Sequence, residues 1–233
     1  MRPAWGASIA WNLIRIAPVN LPAPRIAWSL LAALALAACE SAPQIYSNPK
    51  HEMLQLSQAD LRAGGLAFLT PSTVTGQEED KQTLAYVFAS TLQSERPDIR
   101  FVPLSRTIGA VNRAGLADTY RKMYSDYRDT GVFEVDTMRR VAQAAGVRFL
   151  GQLKLARMEQ NSRGRFGVLG LNILNTQYAN MRVFFQVWDS RDGTIVWEGI
   201  DEVTLAIDTG KELPMSFQLV AEQAAKNLVQ RLP

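Results

Sequence analysis

The sequence predicts a single α/β domain, a mixed β-sheet with packed helices, and three observations lead there. From Gly64 to Gly146, short apolar runs alternate with stretches whose apolar residues recur every three or four positions. After Phe149, three strand-like segments follow one another with no helical period between them. The part of the chain after residue 38 has about 195 residues, enough for one domain with a sizeable core. The principal elements run β-α-β-α-α-β-β-β-α, with helices alternating with strands first and a three-strand meander and closing helix afterwards.

Taken in order, Leu66 to Leu69 is a short apolar run closed by Thr70-Pro71, a buried strand. Glu78, Glu79 and Asp80 fill the first turn of a helix, where the macrodipole favours negative charge. Leu84, Val87, Phe88, Thr91 and Leu92 mark its buried face, and it ends near Pro97. Ile99 to Pro103 is the second strand. Ser105 is placed to cap a short helix through about Asn112. Leu116, Tyr120, Met123 and Tyr127 form the stripe of a helix ending near Gly131. Val135, Met138, Val141 and Ala145 form the next, stopped by a left-handed Gly146. Phe149 to Met158 is a strand, Asn161 to Gly164 a polar turn, and Phe166 to Leu174 an apolar, glycine-broken segment. Gln177 to Asp189 and Thr194 to Leu205 are long strands joined by the turn Ser190-Arg191-Asp192-Gly193. The last helix runs from about Pro214 to Leu232, with Phe217, Val220, Ala221, Ala224 and Leu228 inside.

Ahead of the domain, Ile26 to Ala38 carries no charge and follows Arg25. Its 13 residues are too few for a bilayer core, which takes roughly 20. A basic stretch, a short apolar segment and small residues before a cut are the parts of an export leader. Leu36-Ala37-Ala38-Cys39 resembles the lipobox of bacterial lipoproteins, which implies that Cys39, the chain's single cysteine, carries a diacylglycerol and becomes the new amino terminus. The polar Cys39-Glu40-Ser41-Ala42-Pro43 argues against an uncleaved anchor helix. The basic region before Arg25 is long for a leader, which suggests a later start. By the same resemblance, Glu40 rather than Asp after the lipidated residue implies sorting to the outer membrane, facing the periplasm. The expected organisation is a leader over 1–38, the lipidated Cys39 and a flexible tether over 39–62, and the folded domain over 63–233. Within 39–62, Ser41 to Lys50 is the flexible part, and His51 to Arg62 forms a short helix.

Charge follows from this division. Arg2, Arg15 and Arg25 are the only charged residues before Cys39, so the mature part has 25 − 3 = 22 basic against 22 acidic groups. A neutral domain lacks the field that draws in nucleic acid. The chemical inventory is short. His51 is the lone histidine and is expected in solvent, and lipidation of Cys39 leaves no thiol for a metal, a disulfide or a nucleophile. No cofactor, metal or small-molecule substrate is expected. Glu198, Asp201 and Glu202, with Asp189 and Asp192, are the remaining catalytic option, as a glycosidase-type carboxylate pair; exposed strand and turn positions explain them better. Gly164-Arg165-Phe166-Gly167 lacks the strand, helix and Lys-Ser/Thr of a phosphate loop. Tyr120, Tyr124 and Tyr127 are expected in the core rather than on a flat ligand. Phe166, Val168, Leu169, Leu171, Ile173 and Leu174 are the candidate partner contact, as a protein interface or membrane-facing loop if exposed and as an edge of the core if not.

Val141-Ala142-Gln143-Ala144-Ala145-Gly146-Val147-Arg148-Phe149-Leu150-Gly151 and Val187-Trp188-Asp189-Ser190-Arg191-Asp192-Gly193-Thr194-Ile195-Val196-Trp197 carry a wider resemblance. With the lipobox, this layout resembles the periplasmic lipoproteins related to the curli secretion protein CsgG and the penicillin-binding-protein activator LpoB. The resemblance implies a non-catalytic, outer-membrane-anchored protein that binds another envelope protein or its own copies in envelope assembly or secretion. One alternative is an oligomeric curli-type export subunit. Phe166 to Leu174 is too short for a barrel hairpin, whose strands need about 9 to 11 alternating residues. The other alternative is a cell-wall hydrolase using the acidic cluster.

Overall fold

The computed structural model describes residues 43–168, 171–209 and 215–233, with backbone alone for 163–168, 171–175 and 209. One mixed sheet organises them. In chain order the elements are β1 (Gln44–Ser47), β2 (Lys50–Met53), α1 (Gln58–Gly64), β3 (Leu66–Phe68), β4 (Ser72–Thr73), α2 (Glu78–Glu95), β5 (Phe101–Val102), α3 (Leu104–Arg113), α4 (Ala117–Thr130), α5 (Val135–Ala145), β6 (Phe149–Val168), β7 (Leu171–Asp189), β8 (Thr194–Thr209) and α6 (Phe217–Val229). The strand order is β1-β8-β7-β6-β3-β5, with β2 also on β8 and β4 also on β6.

β3 is parallel to both β5 and β6 but lies between them, so the chain crosses once in each direction. Right-handed crossovers then place α2 on one face and α3–α5 on the other. The first face buries Leu84, Val87, Phe88 and Leu92 of α2 and Val220, Ala221, Ala224 and Leu228 of α6. They pack on Phe68, Leu153, Met181, Val183, Phe185, Trp197 and Val203 of the sheet. The second face is smaller: Val111, Leu116, Tyr120, Met123, Tyr127, Phe133, Met138 and Val141 close over Ala67, Leu69, Leu150 and Trp188. There the Tyr127 and Phe133 rings stack at 4.0 Å and Trp188 meets Phe133 edge-on at 5.2 Å.

Helix ends follow local chemistry. The Glu134 carboxylate accepts from the backbone N–H of Asp136 and Thr137 and opens α5, and Gly146 closes it at φ 72°. α3 starts one residue ahead of Ser105, with Pro103 in the capping position, so the Ser105 cap is corrected. Ser216 caps α6 through the Leu219 N–H; the expected start at Pro214 lies outside the described residues.

Three further expectations change. Residues 44–53 are a strand rather than the first part of a tether. Gln44↔Ala206, Ser47↔Val203 and Lys50↔Ile200 share one antiparallel register, so β1 and β2 form one edge strand interrupted at Asn48-Pro49. Pro49 falls at an outward-facing position, where its missing N–H takes no hydrogen bond from β8, so the strand resumes beyond it in the same register. The short helix expected from His51 accordingly starts only at Gln58, capped by Ser57. Finally, Asn161 to Gly164 is not a turn: these residues pair with Tyr178 to Asn175, extending β6 to 20 residues. Polar residues and a glycine do not stop a strand whose partner already supplies its hydrogen bonds.

Candidate interaction surface

β6 and β7 pair from Phe149↔Asp189 out to Val168↔Leu171, with register shifts near Leu155 and around Phe166. The described part of β8 runs beside β7 until Thr209, opposite Asn175. Phe166, Val168, Leu171, Ile173 and Leu174 therefore occupy the turn end of a long hairpin, with Phe166 paired to Leu174. The expectation that this segment is too short for a hairpin is corrected, because the polar stretches on either side supply most of the length. Leu169 and Cys39, the remaining expected site residues, lie outside the described residues.

The edge strand is the second exposed feature. The Asn48 N–H reaches the Glu202 carbonyl at 3.4 Å, which places even-numbered residues in hydrogen-bonded pairs with β8. The odd-numbered Ile45, Ser47, His51 and Met53 then direct their backbone groups away from the sheet. Ile45, Tyr46, Met53 and Leu54 are 53%, 69%, 52% and 48% exposed, a concentration of apolar surface on one edge. His51 is exposed, as expected, but stands on this strand opposite Gly199, its ring 6.5 Å from Trp197.

The carboxylates are dispersed by the strand alternation. Asp201 is buried on the α6 side, accepting from the Ser47 hydroxyl at 2.8 Å and the Asn227 amide at 2.7 Å. Glu198 and Glu202 belong to the opposite face, where Glu198 accepts from Gln186 at 3.2 Å and Glu202 from Arg182 at 2.6 Å. The Arg182 hydrogen bond holds Glu202 below its ordinary range. Asp189 is buried beside Arg148 and Arg191, at 2.7 and 2.8 Å; burial pushes its carboxyl up while Arg148 draws it down. Asp192 accepts from the backbone and hydroxyl of Thr194 in the β7–β8 turn, and these bonds lower it. Among the described residues, no group of three or more His, Cys, Asp or Glu could hold a metal ion.

Tyr120 and Tyr127 pack in the second core, as expected, with Tyr124 against it. The Tyr120 hydroxyl meets the Thr70 N–H at 2.9 Å, and Tyr127 donates to Gln186 at 3.3 Å. Burial, then Glu198, pushes the Tyr127 phenol up to about 12. Between α2 and α3 lies an open groove of about 780 Å³, where Glu78 is the only charged lining residue among the described residues. Among the described residues no helix is long and apolar enough to cross a membrane.

The sequence matches no protein-family model and no curated protein. Among solved structures, the chain is similar to the PelC dodecamer from Paraburkholderia phytofirmans, at 13% identity over 80% of this chain and 97% of that chain, with a TM-score of 0.45. It is also similar to the lipoprotein GNA1162 from Neisseria meningitidis, at 13% identity over 72% and 96%, with a TM-score of 0.40. Sequence reasoning missed the edge strand and the length of the hairpin. The alternation of Gln44-Ile45-Tyr46-Ser47 was the available signal for the first, masked by two flanking prolines.

Proposed function

We propose that this chain is a non-catalytic, outer-membrane lipoprotein, held by lipid on Cys39 and facing the periplasm, whose domain binds another envelope protein or its own copies. The observation that carries this reading is that the sheet begins at Gln44, five residues after Cys39. So short a link holds the domain against the membrane that receives the lipid, and a partner must come to that surface. The exposed apolar side chains and outward backbone groups of residues 44–53 suit pairing with a partner's strand. The dispersed carboxylates, each engaged in a turn, a buried tie or a cross-strand pair, support a non-catalytic role.

The proposal keeps the resemblance to CsgG- and LpoB-related lipoproteins, supported by the β-α-β opening and the Asp-Gly hairpin between β7 and β8. The short link argues against an LpoB-type reach across the periplasm. Hairpin length favours the second reading, a curli-type export subunit, since strands of 20 and 19 residues exceed the roughly 9 to 11 of a barrel crossing. Against it, Asn161, Arg163, Asn175 and Gln177 interrupt any lipid-facing band.

Intact-mass measurement on detergent-extracted protein tests the anchor: the expected chain starts at Cys39 and carries added lipid mass, whereas an unmodified or different terminus sinks the reading. Cys39→Ser is expected to move the protein into soluble fractions. Size in detergent separates the two readings, a large closed ring supporting the export subunit and a small species counting against it.

A further inference from the structure

We propose that the turn end of the β6–β7 hairpin is a second membrane contact, seated in the interfacial layer of the bilayer that holds the Cys39 lipid. The proposal rests on the lipid-anchor reading and adds to it the orientation of the domain.

Pairing registers supply the geometry. Gln44 pairs with Ala206, and Ala206 with Tyr178, so the start of β1 lies level with Tyr178 of β7. β1 is antiparallel to β8, as β7 is, and runs away from the turn end of the hairpin; the chain enters the sheet from that end. From Tyr178 to Leu171, β7 advances seven residues, about 23 Å at 3.3 Å each. Gln44 lies five residues after Cys39, and however the link runs it spans at most about 18 Å. The hairpin end thus lies farther beyond Gln44, along the strands, than the link can reach, by about 5 Å or more, which is the depth an interfacial segment occupies.

Composition agrees with that depth. No Asp or Glu occurs from Gln160 to Trp188, while Arg163 and Arg165 immediately precede Phe166, Val168, Leu169, Leu171, Ile173 and Leu174. Apolar residues at the acyl boundary with arginines just behind, at phosphate level, is the order an interface selects. About four residues on each strand belong to the apolar end, roughly 13 Å of strand. That falls short of the roughly 25 Å apolar band of a spanning barrel, so the hairpin dips into the leaflet and does not cross.

The test uses the single-cysteine sequence. With Cys39 carrying lipid, a cysteine introduced by Leu171→Cys is the only free thiol and takes a polarity-sensitive fluorophore. The lipidated protein is placed in phosphatidylethanolamine–phosphatidylglycerol vesicles with and without lipids bearing a shallow spin-label quencher. Arg121→Cys, an 81% exposed position on α4, is the reference. Position 171 is expected to show blue-shifted emission, quenched several-fold more strongly than position 121. Water-like emission at 171 on protein that floats with the vesicles overturns the proposal while leaving the anchor intact. Blue-shifted emission that the lipid quencher does not touch also overturns it, by placing the hairpin end against protein. Protein that neither floats nor carries lipid mass fails the anchor reading first, and the proposal with it.

Discussion

Asp98 shows how single side chains hold the far end of this chain. Arg96 reaches it at 2.9 and 3.1 Å and Arg62 at 2.8 Å, while the same Arg96 guanidinium donates to the carbonyls of Leu232 and Pro233. The hydrogen bonds from Arg96, then from Arg62, hold the Asp98 carboxyl far below its usual range. A carboxyl depressed in the folded state stabilises above its unfolded pKa, and that contribution is lost as pH falls through the folded value. Asp98→Asn should therefore cost about 1 kcal/mol near neutral pH, with the difference from wild type shrinking below about pH 4. Urea unfolding at several pH values checks it; an unchanged difference at pH 3 rejects the linkage. Gly199 acts by having no side chain. A Cβ there would lie 2.5 Å from Cη2 of Trp197 and 2.9 Å from Cδ2 of Leu228, in the contact between β8 and α6. Gly199→Ala is expected to destabilise by about 1–3 kcal/mol, read as a lower urea midpoint.

At the scale of elements, the edge strand and α4 make opposite points about legibility. The 4-3-4 spacing of Leu116, Tyr120, Met123 and Tyr127 sufficed to orient α4, because a helix buries one stripe wherever it packs. Residues 44–53 could not be oriented alone, because an edge strand exists only through its pairing with β8, about 150 residues away in sequence. Pro49 removes one outward donor from the middle of that edge, a device that limits pairing with stray strands. Pro49→Val should restore the donor and raise concentration-dependent self-association, measured by sedimentation. A variant that stays as monodisperse as wild type would show that the edge is guarded by something else. The hairpin was legible only in part: its strands near the core alternate clearly, whereas Asn161 to Gly164 belong to β6 because β7 lies opposite them.

For the whole molecule, charge balance and the proposed attachment set the terms of encounter. With 22 basic and 22 acidic groups after residue 38, a chain starting at Cys39 should pass a heparin column at low ionic strength without retention; retention would reveal a concentrated basic face. The sequence by itself determined the α/β class, the helix stripes, the β7–β8 turn and the poverty of catalytic groups, because periodicity, capping and residue inventory are local. It also supplied the lipobox-like Leu36 to Cys39, on which the proposed attachment rests. Only the tertiary structure decided that Asp201 lies on the face opposite Glu198 and Glu202, that the expected tether begins as a sheet edge, and that the hairpin end and the chain's entry point share one end of the sheet. Each depends on pairing between distant strands, and pairing register is a property that no single segment carries.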